Sequence, residues 1–195
     1  MTSKPLLVFD FDGVIVDGIY EYWLSSKKAC CKVLQSKFND ITLPNGIPQA
    51  FKFLRPWVEH GWEMVLLAAE LTNPNSGLNQ KGYKNFADDY QQNCINALNK
   101  WKWNPKQLQQ ALDDVRREAI AHDLETWLAS YHSFPGVADR LNELNEEGLE
   151  FAVLTTKVLN SLLNFLTHSV SMQIFYMVMN QEAKLKFFYN YLKTT

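Results

Sequence analysis

Leu6-Leu7-Val8-Phe9-Asp10-Phe11-Asp12-Gly13-Val14-Ile15-Val16-Asp17-Gly18 is an apolar run that delivers two carboxylates, two residues apart, into a glycine turn. An extended chain alternates faces with period two, so continued extension puts Asp10 and Asp12 on one side and Phe9 and Phe11 on the other. Like charges held that close are unfavourable unless a proton or a cation sits between them. The pair therefore asks for a divalent ion with hard oxygen ligands, Mg²⁺ first. Carboxylates at the end of a buried strand are also the layout of a nucleophile for phosphoryl transfer.

Further along, a second run has the grammar of the same sheet. Phe134-Pro135-Gly136 opens a helix carrying Val137, Leu141 and Leu144, and Gly148 supplies the left-handed C-terminal cap. The apolar strand Leu149 to Leu154 follows at once, and Thr155-Thr156-Lys157 lie at its carboxyl end, where open parallel sheets bind ligands. Thr155 alone would read as an ordinary helix N-cap; its weight comes from the pairing with Asp10 and Asp12.

Between the two strands, from about Gly18 to Ser133, the pattern is helical with no further strand. Trp23, Lys27, Cys31, Leu34 and Phe38 share one helical stripe, and Ile47, Phe51, Leu54 and Val58 another, separated by Pro44-Asn45-Gly46. Met64 to Leu71 reads as a short helix after Gly61, with a buried strand as the alternative. Thr72 to Gly77 is a loop by composition. Tyr83, Phe86, Tyr90, Ala97 and Trp101 outline one long helix, and Asn104-Pro105 starts another that runs through Leu108, Leu112, Val115, Ala119, Leu124 and Trp127 toward Tyr131. The tryptophans Trp23, Trp57, Trp101, Trp103 and Trp127 read as packing residues, because most fall on these stripes.

Composition narrows the function classes. A chain of 195 residues that is 47% hydrophobic can bury a real core, so disorder is not expected. Nineteen basic against twenty-one acidic residues leave a net charge of -2 and no dense basic cluster, which argues against a nucleic-acid partner and for a small ligand bound locally. Cys30, Cys31 and Cys94 have no Cys-x-x-Cys spacing and are odd in number, so reduced thiols and a cytoplasmic setting are expected. Vicinal Cys30 and Cys31 on a helix give one core thiol and one boundary thiol. His60, His122, His132 and His168 have no metal-ligand spacing. No apolar run approaches the roughly 20 residues of a membrane helix.

Asp10-Phe11-Asp12-Gly13-Val14 and Phe151-Ala152-Val153-Leu154-Thr155-Thr156-Lys157, with Phe134-Pro135-Gly136 ahead of the latter, resemble the first two motifs of the haloacid dehalogenase superfamily. The likeness is to its phosphoglycolate-phosphatase-like members, which carry a helical cap after the first motif. It implies an α/β fold: a Rossmann-like parallel-sheet core, residues 1–17 and 134–195, with an all-helical cap inserted over residues 18–133. By this resemblance Asp10 is the nucleophile and Asp12 the general acid and base. Thr155 would bond the transferred phosphoryl group, with the backbone of Phe11, Asp12 and Thr156 offering further contacts. Asp10 and Asp12 would bind Mg²⁺. The implied reaction is hydrolysis of a small phosphorylated metabolite through an aspartyl-phosphate, with substrate choice in the cap and Asp17-Gly18 as hinge candidates. Phosphonate hydrolysis and phosphosugar mutation share the first motif and rank below ester hydrolysis.

The family pattern also has a lysine and a later acid pair that complete the metal site, and past Val158 neither is convincing; Lys184 or Lys186 is the nearest substitute for the lysine. Phe175 to Met179 reads as a strand. Methionine has one codon, so reading the coding strand of Tyr176 to Asn180 from the third base of each codon forces a glycine at Met177-Val178 and a glutamate at Met179-Asn180. Permitted codons nearby complete a stretch resembling the missing lysine motif. The expectation is a core truncated or frame-shifted after Lys157, incomplete at its C-terminus. A catalytically impaired remnant that at most binds is the alternative to an active phosphatase.

Overall fold

The computed structural model describes residues 6–34, 43–155 and 175–178. The chain divides into two compact units, whose described residues are 6–18 with 128–155 and 175–178 in one, and 19–34 with 43–127 in the other.

The first unit is built on a parallel sheet ordered β1 (Leu6–Asp10), β4 (Glu150–Thr155), β5 (Phe175–Val178). Leu6 to Asp10 pair in register with Glu150 to Leu154, and Ala152 to Thr155 with Phe175 to Val178. Parallel neighbours need long crossovers, and the β4 run is apolar on both faces, with Ala152 and Val153 buried. The crossover into β4 ends in α9 (Val137–Glu146), whose Leu141 and Leu144 are buried. Gly148, at φ 72°, then turns the chain out of the helix, with Leu149 N–H bonded back to Leu144 O at 3.1 Å.

Two further strands lie where the sequence showed none. β2 (Val16–Asp17) and β3 (His132–Ser133) form a two-residue antiparallel ribbon, Val16 opposite Ser133 and Asp17 opposite His132. The expectation of no strand between Gly18 and Ser133 is thus corrected at its far end. Two residues cannot display a period of two, so only the long-range pairing reveals such a strand.

The second unit is helical. α1 (Ile19–Leu34), α3 (Gly61–Thr72) and α7 (Pro105–His122) pack against one another. Residues Met64 to Glu70 of α3 are all buried, which settles the ambiguity at this run: a helix enclosed on all sides is apolar all round and reads like a strand. A methyl group added at Gly61 would lie 2.9 Å from Leu112 Cδ2, so α3 and α7 approach closely there. Trp23 is fully buried and meets Phe51 edge-on, centroids 5.1 Å apart, joining α1 to α2 (Gln49–Leu54). A 3-10 turn, Arg55–Trp57, follows α2, and α4 (Gly77–Lys81) follows α3.

Two helices expected as continuous are broken. The stripe from Tyr83 to Trp101 is split into α5 (Tyr83–Asp88) and α6 (Tyr90–Trp101) by Asp89, at φ -135° and ψ 55°. The helix from Pro105 stops at His122, and α8 (Leu124–Leu128) starts afresh. There the Asp123 carboxylate accepts from Thr126 N–H at 3.0 Å and from Thr126 Oγ1 at 2.6 Å. A short acid that can bond the backbone ahead of it competes with helix continuation. The expected start at Asn104-Pro105 is present: Asn104 Oδ1 accepts from Gln107 N–H at 2.9 Å.

The buried acids among the described residues of this unit are all bonded. Glu21 accepts from Arg116 Nε and Nη2 at 2.8 and 2.9 Å and from Ser25 Oγ at 2.7 Å. Glu70 accepts from Trp101 Nε1 at 2.8 Å and Leu78 N–H at 3.2 Å, and Glu63 from Tyr90 Oη at 3.1 Å. Each satisfies the requirement that a buried charge be hydrogen-bonded.

Candidate functional site at the carboxyl end of the first strand

β1 ends at Asp10, and the side-chain alternation argued from sequence ends with it. Phe11 to Ile15 form a tight turn instead: Ile15 and Val16 N–H both donate to Phe11 O, at 3.0 and 3.1 Å, and Gly13 N–H donates to Val16 O at 2.8 Å. Gly13 sits at φ 82°, a conformation that costs an L-residue about 1–2 kcal/mol. Asp12 is therefore placed by this turn, through a bridge to Val16, and not by strand pleating. What holds the turn down is apolar. Phe11, Ile15 and Val16 are buried, and the Phe11 ring lies 6.3 Å from that of Tyr131, tilted by 53°. Phe134 N–H adds a bond to Ile15 O at 3.2 Å.

On this anchored turn the two acids remain reachable. Asp10 is exposed and Asp12 half-buried. One oxygen of Asp10, Oδ1, accepts from Phe11 N–H at 2.9 Å, which orients the carboxylate at the strand end. The neighbouring strand contributes by register: Leu154 pairs with Asp10, so Thr155 continues β4 at the same end of the sheet. Asp10 and Thr155 are thus brought to one sheet end from positions far apart in the chain. Asp17, exposed, and Gly18, buried, stand where β2 leaves for α1. Thr156, Lys157, Lys184 and Lys186 lie outside the described residues.

Oxygen donors from two carboxylates suit Mg²⁺, which binds through one or two such groups and keeps several waters. Among the described residues no group of three or more His, Cys, Asp or Glu side chains converges as a complete metal cage. Asp10 and Asp12 are the two carboxylates that the end of β1 and the turn after it present. Sequence reasoning placed Tyr131 only as the end of a helical stripe and missed that its ring backs Phe11, a contact only the fold makes.

The sequence profile of the haloacid dehalogenase-like hydrolases matches residues 69–186, more than half of the chain, from the end of α3 through β5. No curated protein matches significantly. A solved structure, that of a predicted phosphoglycolate phosphatase from Haemophilus somnus 129PT, is similar with 19% identity and a TM-score of 0.48. It aligns with 93% of this chain, which spans 64% of its length. Among the described residues no helix is long and apolar enough to cross a membrane. The family match together with the parallel sheet and helical unit establishes that the chain belongs to the haloacid dehalogenase-like hydrolases.

Proposed function

We propose that the protein hydrolyses a small phosphate monoester, with Asp10 as nucleophile and Asp12 as acid and base. The observation that carries this reading is Asp10 itself: exposed at the end of β1, its carboxylate oriented by Phe11 N–H, in register with the residue before Thr155. Asp10 attacks phosphorus and the ester oxygen leaves, taking a proton from Asp12. Water then attacks the aspartyl-phosphate while Asp12 recovers the proton, releasing phosphate and regenerating Asp10. Thr155 is assigned a hydrogen bond to the transferred group. Asp10 and Asp12 would hold Mg²⁺, which would supply neutralisation of the charge gathered there.

The test is Mg²⁺-dependent release of phosphate from p-nitrophenyl phosphate and a panel of small phosphate esters. Asp10→Asn is expected to lower the rate by at least about a thousandfold, as loss of a nucleophile does. Asp12→Asn is expected to lower it by about a hundredfold or more, the size of a general acid-base contribution. Equal rates for wild type and Asp10→Asn on every ester would overturn the reading in favour of a non-catalytic binding protein.

A further inference from the structure

Before α2 the chain passes through Leu43-Pro44-Asn45-Gly46, and Asn45 and Gly46 are both exposed in a bend. Lys27, on α1, reaches across to this bend: its ammonium donates to Asn45 Oδ1 at 3.0 Å and to Pro44 O at 3.2 Å. Among the described residues no hydrogen bond engages Gly46 N–H. Among the described residues other than its two chain neighbours, no atom lies within 4 Å of where a Gly46 Cβ would stand. An unhindered backbone amide therefore follows an asparagine whose side-chain carbonyl is polarised by a cation.

We propose that Asn45 is a self-modification site, converting to aspartate and isoaspartate through a succinimide with Lys27 as the group that promotes ring closure. Solvent base removes the Gly46 amide proton, and the nitrogen attacks Asn45 Cγ. Negative charge collects on Oδ1, where the Lys27 ammonium stabilises it, as a donor in an oxyanion site does. The Cγ–Nδ2 bond breaks and ammonia leaves. Water opens the ring at either carbonyl, so the net change is uptake of one water and loss of one ammonia. Opening at Cγ restores the normal backbone and leaves a carboxylate facing Lys27, turning an ion–dipole contact into an ion pair. Opening at the main-chain carbonyl gives isoaspartate and lengthens the backbone of the bend.

Asn75-Ser76 is an internal control, since a small residue after asparagine also permits the reaction. Here the fold forbids it. Ser76 is fully buried, its N–H donates to Asn73 O at 2.9 Å, and its side chain caps α4 by accepting from Asn79 N–H at 3.0 Å. Asn75 N–H is itself bonded to Asn73 Oδ1 at 2.9 Å. The nitrogen needed for attack is held and shielded.

The full chain is incubated native at mildly alkaline pH, digested with trypsin, and followed by mass spectrometry for amide-to-acid conversion. The peptide spanning residues 38–52 should accumulate the change at Asn45 while Asn75 stays amidated. In denaturing urea the Asn75 rate should rise and the Asn45 rate fall, because the hold on Ser76 and the Lys27 contact are both lost. Lys27→Met should slow Asn45 conversion in the native protein by about threefold to tenfold, below the effect of a buried oxyanion donor because the site is exposed. Lys27→Arg should restore most of the rate. Gly46→Ala, which has room for its methyl group, should suppress conversion in a folded chain. Asn75 converting as fast as Asn45 in the native state, or Lys27→Met converting at the wild-type rate, would overturn the proposal.

Discussion

Arg116 is 20% exposed while its partner Glu21 is 1% exposed, so removing the arginine takes the counter-charge from a buried carboxylate. The Arg116→Met change deletes both members of a two-pronged contact, Nε to Oε1 at 2.8 Å and Nη2 to Oε2 at 2.9 Å, between α7 and α1. Ser25 Oγ still donates to Oε1 and offsets part of the loss. Breaking a buried ion pair from one side costs about 3–5 kcal/mol, most of it the penalty on the charge left behind. Against a typical total stability of about 5–15 kcal/mol, this is a large fraction. Urea unfolding followed by helical circular dichroism should show the midpoint lowered by at least about 1 M, taking a slope of roughly 1–3 kcal/mol per M. The double change Glu21→Leu with Arg116→Met should recover most of the loss, because apolar groups of similar size need no counter-charge. A single-variant cost under about 1 kcal/mol, the range of surface ion pairs, would refute the view that Glu21 is sealed from water.

Burial raises the Cys30 thiol and pushes the Cys94 thiol up to about 12. Half-buried Cys31 should accordingly be alkylated first in the native protein, and mass mapping that finds Cys94 labelled as fast as Cys31 would contradict this. Asn104→Ala should cost about 1 kcal/mol in thermal or urea unfolding through loss of the α7 cap. The Thr126 hydroxyl, then its N–H, hold the Asp123 carboxyl below its ordinary range. The α8 cap is therefore complete above the ordinary carboxylate range and is lost as pH falls through the lowered value, a midpoint that carboxyl carbon NMR reads directly. A midpoint at or above the ordinary value would rule out the cap.

The rank order of the helical breaks shows where sequence reading stops. Asn104-Pro105 was legible because the cap and the proline act within a few residues of each other, through bonds a single turn long. The break at Asp123 uses the same chemistry, yet an apolar stripe from Val115 through Trp127 masks it, since periodicity does not register a one-residue interruption. At α3 the difficulty is reversed: enclosure on all sides erases the period that distinguishes helix from strand.

What the sequence by itself determined is the fold class: an apolar strand ending in two acids, a second strand ending in Thr155, and long helical stripes between them. Those properties are local, set by alternation, caps and burial along a few residues. Only the tertiary structure decided that β1 and β4 are parallel neighbours in the register that brings Asp10 and Thr155 to one sheet end. It also decided that Asp12 is placed by a turn seated on Phe11, Ile15 and Val16, backed by Tyr131, and that Val16–Asp17 pairs with His132–Ser133. The strand pairings and the Phe11–Tyr131 contact join residues remote in the chain, and the turn, though local, has no sequence period, so none of them can be read from alternation along the chain.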